Sequence, residues 1–148
     1  MFQKILVCLD GSKLAEQILP YAAEQAARFG SSVILFQVVH LANIPAPTGI
    51  ESVPIAVPDD RLEEAETEAK AYLNHLAQPL REKGLNVQYA TMIGSPAESI
   101  VDYADKNGFG LIALATHGRS GLGRLVFGSV ADYVIRKSGL PILLIKPK

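Results

Sequence analysis

Short apolar runs alternate along this chain with longer segments whose apolar residues recur every three or four positions. The apolar runs predict five strands, at residues 4–9, 32–39, 86–92, 109–115 and 141–146. Most of them are apolar throughout, which is typical of strands buried on both faces of a parallel sheet. Residues 86–92 alternate between apolar and polar positions, and we interpret them as a strand at an edge.

The first two helical segments carry recognisable start signals. Ser12 is a residue type that caps helices, and the apolar positions after it predict a helix as far as Gly30. Pro20 lies inside this helix, so we expect a kink or a missing hydrogen bond there. Asp60 and Glu63 have the spacing of a capping box and predict the start of the second helix.

The third helical segment has the clearest start in the chain. Ser95 is a capping residue, Pro96 suits the first helical position, and Glu98 completes a capping box. The pattern predicts a helix from there to Gly108. A last helix follows the glycine-rich segment and occupies residues 128–139.

Strands and helices alternate in the order β-α-β-α-β-α-β-α-β, which predicts an α/β fold. We expect a three-layer open sheet of five mainly parallel strands, with helices on both faces, as a single domain over residues 1–148. Residues 41–58 hold four prolines and no clear period, and they predict a long irregular loop that is either a lid or a linker.

Composition restricts the classes of function. Of the 148 residues 49% are hydrophobic, and 14 basic side chains nearly balance 15 acidic ones, so there is no electrostatic argument for nucleic acid or an acidic membrane as partner. Cys8, the one cysteine, lies in an apolar run and predicts a buried structural thiol. No signal peptide or membrane-spanning run is visible, and we expect a cytoplasmic protein.

The most unusual segment is residues 115–129, which holds four of the twelve glycines. It does not match a Walker loop, because Arg124 stands where that motif needs lysine. It also lacks the dinucleotide-binding G-x-G-x-x-G spacing. A serine hydrolase elbow at Ser120 is excluded, because no histidine follows it in the chain.

Two interpretations of this segment stay open on physical grounds. In open α/β sheets, ligands bind at the carboxyl ends of strands where the strand order reverses. With an order of 3-2-1-4-5, Asp10 after the first strand and the glycine-rich segment after the fourth would flank that point. A helix starting at Gly128-Ser129 favours phosphate, and Asp10 suits a ribose, which together indicate a nucleotide. The alternative is that the glycines only turn the chain and pack closely.

The segment resembles the nucleotide-binding members of the universal stress protein family. Their pattern is G-x-x-G-x9-G-[ST], and here Gly118 is followed by nine residues and then Gly128-Ser129, with Ala115 at the place of the first glycine. Further similarity lies in Ile5-Leu-Val-Cys-Leu-Asp-Gly-Ser12, in Gly-Ser-Pro-Ala97, and in Pro-Ile-Leu-Leu-Ile145. The resemblance extends over nearly the whole chain.

The resemblance implies the strand order 3-2-1-4-5 and a set of ATP contacts. It implies that Asp10 meets the ribose or adenine end and that Val38 meets adenine. The remaining implied site residues line the pocket or surround the ribose and phosphates; they are Cys8, Leu9, Leu114, Ala115, Thr116, His117, Gly118, Arg119, Gly128, Ser129 and Val130. It also implies a homodimer formed through the last strand, Leu140 to Lys146.

Three functions are consistent with these residues. The first is an ATP-binding stress-response module or switch with slow or absent turnover and no catalytic residue. The second is a weak ATPase that uses Mg²⁺ at the same pocket, although no general base is evident and no acidic group adjoins Asp10. The third is a protein-interaction member whose pocket Ala115 closes. His40 and His75 match no metal-ligand spacing.

Overall fold

A computed structural model of the chain describes residues 1–41, 57–116 and 128–148. The predicted loop at residues 41–58 therefore falls almost wholly outside the described residues. The elements in chain order are β1 (Lys4–Leu9), α1 (Lys13–Glu16), α2 (Leu19–Phe29), β2 (Ser32–Val39), α3 (Asp59–Glu82), β3 (Val87–Ile93), α4 (Pro96–Lys106), β4 (Leu111–Ala115), α5 (Ser129–Lys137) and β5 (Ile142–Ile145).

The strands form one sheet in the order β3-β2-β1-β4-β5, and every pair of neighbours is parallel. This confirms the expected fold class and strand order. The order reverses between β1 and β4, so the carboxyl ends of these two strands lie side by side. In the described part of the chain, β3 and β5 are the two edges of the sheet.

Two apolar clusters cover the two faces of the sheet. The first packs α1, α2 and α3 against alternate residues of the strands, such as Val7 and Leu35. The second packs α4 and α5 against the intervening residues, such as Leu6 and Phe36. We call these the α3 face and the α5 face. All four of these side chains are buried, which explains why β1 and β2 are apolar at nearly every position.

The first predicted helix is in fact two. Ser12 caps α1 as expected, because its Oγ accepts a hydrogen bond from the backbone N–H of Ala15 at 3.1 Å. Pro20 stands in the first turn of a separate helix, α2, where its missing N–H has no intrahelical partner to lose. Gly30 ends α2 in the left-handed conformation, as predicted.

The predicted capping box of Asp60 and Glu63 is wrong. The helix begins at Asp59, and its N-cap residue is Pro58, which lies two positions before Asp60 and offers no side-chain oxygen. Asp60 is already inside the first turn, and its Oδ1 accepts the backbone N–H of Arg61 instead. Ser95 is the N-cap residue of α4 as predicted, but its side chain makes no capping hydrogen bond.

Two strands are shorter than their apolar runs. The predicted strand at residues 109–115 begins only at Leu111, because the N–H of Phe109 still bonds back to Ala104 at the end of α4. β5 occupies only the core of the run at 141–146. Within the described ranges, no helix is both long and apolar enough to cross a lipid bilayer.

Candidate functional site

A cleft of about 780 Å³ lies at the carboxyl ends of the strands, where the strand order reverses. Residues from β1, β2 and β4 form its floor, and the starts of α4 and α5 and the first half of α3 form its walls. We call it the sheet-end cleft. It is large enough for a small-molecule ligand and occupies the position where open α/β sheets bind one.

The sheet-end cleft brings together most of the site residues expected from the sequence. Those that line it are Cys8, Leu9, Asp10, Val38, Leu114, Ala115, Gly128, Ser129 and Val130. Thr116 is not among the lining residues of the described chain: it is buried, and its backbone N–H donates to the carbonyl of Ile145 at 2.9 Å. His117, Gly118 and Arg119 lie outside the described residues.

Asp10 sits in a tight turn at the end of β1. Its Oδ1 accepts the backbone N–H of Ser12 at 2.9 Å, and Gly11 between them has a positive φ of 84°. A side-chain oxygen that bonds the backbone two residues on is a local turn-former. Asp10 is nevertheless exposed and lines the sheet-end cleft. Asp10 therefore both shapes the turn and lines the cleft.

The start of α5 forms the opposite end of the cleft. Gly128 has φ 70° and ψ 153°, a conformation that residues with a Cβ rarely adopt. Gly128 is the N-cap residue and has no side chain with which to cap the helix. The first turn of α5 therefore presents backbone N–H groups and a partial positive charge beside Ser129, which together favour an anion such as phosphate.

Ala115 is the last residue of β4 and lies between these two ends. It pairs with Ile145 of β5, is partly buried, and lines the cleft. Its neighbours along the cleft floor include Leu114 and, on β1, Cys8 and Leu9. The alanine that departs from the family pattern is therefore part of the cleft lining.

The floor of the cleft on the α5 face is apolar. Cys8, Phe36 and Leu114 contribute to it, and Phe36 stacks on Tyr103 with ring centroids 4.4 Å apart. Burial raises the pKa of the Cys8 thiol well above its ordinary value, so the thiol stays protonated and unreactive. This confirms the prediction of a buried thiol. An apolar floor suits the flat face of a ring-bearing ligand.

The wall formed by α3 was not expected from the sequence. Tyr72 lines the cleft and donates a hydrogen bond from its hydroxyl to Glu16 Oε1 at 3.3 Å. Glu16 also pairs with Lys13 at 3.0 Å. Burial, followed by the negative charges of Glu16 and Asp10, raises the pKa of the Tyr72 phenol. Tyr72 therefore acts here as a neutral hydrogen-bonding group and not as a phenolate.

Gln37 is a second lining residue that sequence reasoning missed. Its side chain lies on the α3 face between its register partners Leu9 and Thr91. Its Oε1 is buried and has no hydrogen-bond partner among the described residues. A signal was present, since Gln37 is the one polar residue inside the apolar run that follows Ser32. The direction in which a strand points its side chains cannot be read without the register.

Metal ligation has little support in the described residues. Across residues 1–41, 57–116 and 128–148, no group of three or more His, Cys, Asp or Glu side chains is arranged to hold an ion. His40 lines the cleft, whereas His75 is exposed on α3.

Residues 1–146 match the family model of the universal stress protein family. The chain belongs to the universal stress protein family. Universal stress protein YxiE from Bacillus subtilis is 30% identical over 148 residues, covering 99% of this chain and 100% of YxiE. The expected family membership is therefore confirmed.

Solved structures of universal stress proteins share the whole fold. The structure of MJ0577 from Methanocaldococcus jannaschii has a TM-score of 0.80 and 29% identity, covering 100% of this chain and 98% of that one. A universal stress protein from Archaeoglobus fulgidus, solved in complex with dAMP, has a TM-score of 0.65 and 28% identity. That comparison covers 99% of this chain and 100% of the A. fulgidus chain.

Proposed function

We propose that this universal stress protein binds ATP in the sheet-end cleft and acts as a nucleotide-loaded module or switch in a stress response. The observation that carries the proposal is the meeting of Asp10, Val38 and Gly128-Ser129 around one cleft. These residues come from three separate parts of the sequence. Each offers chemistry that suits a different part of a nucleotide.

The strand order suggests how the nucleotide lies. The start of α5, after β4, takes the phosphates, and Asp10 at the end of β1 takes the ribose. Val38 on β2 takes the base. The distance from β4 across β1 to β2 is two strand spacings, or about 10 Å. This distance matches the length of an extended nucleotide from its phosphate to its base. The A. fulgidus relative bound to dAMP supports a nucleotide ligand. The extension to a triphosphate rests on the spacing from Gly118 to Gly128-Ser129.

We assign no catalytic residue, and turnover of the bound ATP is slow or absent. Among the described residues that line the cleft, Asp10 is the one carboxylate at a strand end, and its Oδ1 accepts the backbone N–H of Ser12. A weak Mg²⁺-dependent ATPase that uses the same cleft is the second candidate, favoured by Glu68 on the α3 wall. The single buried cysteine suits a reducing compartment, and we propose the cytoplasm.

Mass analysis of nucleotide released from protein purified without added ligand, followed by ATP titration, tests the proposal. The informative variant is Gly128→Val, because a branched side chain cannot easily adopt φ 70° at the start of α5. Gly139→Val is the matched control, because a Cβ there meets nothing within 4 Å and φ is not positive. We expect saturable ATP binding in the wild type and in Gly139→Val, and its loss in folded Gly128→Val.

No binding by the wild type at millimolar ATP would contradict the proposal and favour a protein-interaction role. Release of ADP over time, with and without Mg²⁺, separates the weak ATPase from the switch. Because both share the cleft, the rate of ADP release decides between them and ATP affinity does not.

We further propose a homodimer formed through β5. The carbonyls of Pro141 and Ile145 accept hydrogen bonds from Ile112 in β4 and from Thr116 just after it, so the backbone groups of Ile142 and Leu144 point to the other edge of β5. An uncovered apolar edge favours pairing with another strand, and a two-fold axis would make that pair antiparallel.

Light scattering coupled to size-exclusion chromatography tests the dimer. Leu144→Pro removes an outward N–H while leaving the bonds to β4 in place, and it should give a folded monomer. A wild-type monomer, or a dimer that survives in folded Leu144→Pro, would contradict pairing through this edge.

A further inference from the structure

The outer edge of β3 is a strand edge of seven residues that has no neighbouring strand in the part of the chain the structure describes. On the inner side, the carbonyl of Asn86 and the N–H of Gly94 bond to β2. Because backbone groups alternate in direction along a strand, those of Tyr89, Thr91 and Ile93 point away from β2. Each of these three residues therefore offers one N–H and one carbonyl at the outer edge.

β3 lacks the sequence features with which proteins protect an edge strand. The segment Val87-Gln-Tyr-Ala-Thr-Met-Ile93 has no charged residue and no proline, and its register with β2 is continuous, without a bulge. Tyr89 and Ile93 are 37% and 40% exposed on the α3 face. Arg81 limits the edge at its amino end, because its Nε donates to the outward carbonyl of Val87 at 2.9 Å. An uncharged, apolar edge of this length favours pairing with another strand.

The exposed apolar side chains of β3 are placed symmetrically about Thr91. Tyr89 lies two positions before Thr91, and Ile93 lies two positions after it. If a second β3 pairs antiparallel about a two-fold axis at Thr91, Tyr89 of one copy stands opposite Ile93 of the other, and the two threonines face each other. Pairs of an aromatic with a β-branched side chain, and pairs of threonines, stabilise antiparallel strands. The two exposed apolar side chains would therefore cover each other in a pair of identical chains.

Two charged residues of α3 give the same axis a complementary pattern of charge. Glu66 Oε1 accepts a hydrogen bond from the Thr91 hydroxyl at 3.1 Å, and Lys70 Nζ lies 3.0 Å from the same oxygen. This ion pair therefore lies over the middle of β3. Its side chains are 31% and 51% exposed, so a partner can reach them. A two-fold axis at Thr91 reverses the direction of α3 in the second copy, so each carboxylate meets a second ammonium and the group of four charges is neutral.

We propose that β3 is a self-association edge, at which two copies of this chain pair antiparallel about a two-fold axis at Thr91. This contact uses the edge of the sheet opposite to β5, and it does not depend on ATP binding in the sheet-end cleft. A contact limited to one strand edge and one helix flank is at the small end of protein interfaces, where association is weak. We therefore expect it above about 100 μM protein, whereas the β5 dimer is to be tested at low micromolar concentration.

Sedimentation velocity over a range of protein concentrations tests the association. Between about 10 and 500 μM, we expect the weight-average mass of the wild type to rise by about 1.5-fold or more. Thr91→Pro removes the outward N–H at the axis and leaves the bonds to β2 in place, so the rise should disappear. Thr91→Val is the matched control, because it removes the hydroxyl and keeps the N–H, and its mass should rise as in the wild type.

Tyr89→Lys is a second variant, which leaves the backbone of β3 unchanged. It places a charge at an exposed position, opposite the apolar Ile93 of the second copy, and it should also remove the rise in mass. Tyr21→Lys makes the same change at an exposed position of α2 and should leave the rise in place.

Disulfide trapping tests the register at β3 itself. With the axis at Thr91, Ala90 of one copy lies opposite Met92 of the other, with Cβ atoms about 4.5–5.5 Å apart. A mixture of Ala90→Cys and Met92→Cys protein should therefore form disulfide-linked heterodimers in a glutathione redox buffer. The native Cys8 is buried and should not take part. A mixture of Gln88→Cys and Met92→Cys protein is the matched control, and it should form none.

Three results would overturn the proposed pairing. If the mass rises equally in the wild type, Thr91→Pro and Tyr89→Lys, the copies associate through another surface. If Gln88→Cys, and not Ala90→Cys, links to Met92→Cys, the strands pair in another register and the axis is not at Thr91. If the wild type shows neither the rise in mass up to about 500 μM nor a heterodimer in the trapping experiment, a second copy does not occupy this edge, which is then left to a different partner.

Discussion

Gln17 and Lys148 exchange two hydrogen bonds although 131 positions separate them. The Gln17 side-chain amide donates to the carbonyl of Lys148 at 3.1 Å and accepts from its N–H at 3.0 Å. Gln17 ends α1, the short helix that follows the Asp10 turn. The segment after the edge strand β5 is thus held against an element that borders the sheet-end cleft.

Gln17→Ala should release this segment without unfolding the protein. Both bonds are exposed, so we expect a loss of about 0.5–1 kcal/mol in the free energy of unfolding. The larger effect is local: the Lys148 amide should lose its protection in hydrogen-exchange NMR. Gln78→Ala, at an exposed position of α3, is the matched control. An unchanged hydrogen-exchange rate at Lys148 in Gln17→Ala would show that Gln17 does not anchor this segment.

Tyr72→Phe should weaken the contact between α3 and α1 at neutral pH. Removing the hydroxyl leaves Glu16 with Lys13 alone, and we expect a loss of about 1 kcal/mol in the free energy of unfolding. Tyr21→Phe is the control, because Tyr21 is 56% exposed. Equal stability of wild type and Tyr72→Phe in urea at neutral pH would argue against this contact.

The same variant should change how stability depends on alkaline pH. Burial first, and then Glu16 and Asp10, raise the pKa of Tyr72 above the ordinary value of 10.0, so the folded protein holds this proton more tightly than the unfolded chain. The contribution of this proton to the free energy of unfolding is complete below pH 10.0 and is lost as the pH rises above that value. Wild-type stability should therefore fall more steeply than that of Tyr72→Phe between neutral pH and about pH 11. If the free energies of unfolding of the wild type and Tyr72→Phe depended on pH in the same way, this prediction would be wrong.

Thr91→Val should raise the pKa of the Glu66 carboxyl. Hydrogen bonds from Lys70 and then Thr91 hold this pKa below its ordinary value of 4.5. Loss of the Thr91 bond should move it upward, still short of 4.5, because Lys70 remains at 3.0 Å. Carbon-detected NMR titration of the glutamate carboxyls measures the shift.

The effect of Thr91→Val on the free energy of unfolding should be small and should depend on pH. A group whose pKa is lowered on folding contributes above its unfolded value, and the contribution disappears as the pH falls through the folded value. The free energy of unfolding should fall by about 0.2–0.5 kcal/mol at neutral pH, and this loss should vanish when Glu66 is protonated. Thr67→Val is the control, because Thr67 bonds the carbonyl of Glu63. A loss that persists at low pH would show that packing, not the carboxylate, is responsible.

The sequence predicts the fold well because each strand is marked locally. The run from Lys4 to Leu9 is apolar at every position but the first, since both faces of β1 are buried. The strand order came only from the family resemblance, because no local pattern specifies which strands are neighbours. Asp60 shows the limit of local signals: the helix begins at Asp59, so Asp60 is its second residue and lies two positions after the N-cap residue.

Some residues of the candidate site are marked by local sequence signals, and others are not. Asp10 and Gly128 stand at the ends of elements, where turn and helix-start residues mark them in the sequence. Gln37 and Tyr72 lie inside a strand and a helix, where no turn or cap signal marks them. Tyr72 reaches the cleft only because α3 crosses over β2 and β3 on one face of the sheet. That crossing depends on tertiary packing, so their contribution could not be predicted from spacing alone.

Ala115→Gly tests whether the departure from the family pattern limits ATP binding. Ala115 lines the cleft with a single methyl group, which should obstruct little, and we expect ATP affinity to change by less than about threefold. The free energy of unfolding should fall by about 0.5–1 kcal/mol, because glycine at a strand end loses more backbone entropy on folding. Ala90→Gly on β3 controls for that loss. A tightening of ATP binding by tenfold or more would show that the methyl group partly closes the cleft, and the protein-interaction alternative would then gain support.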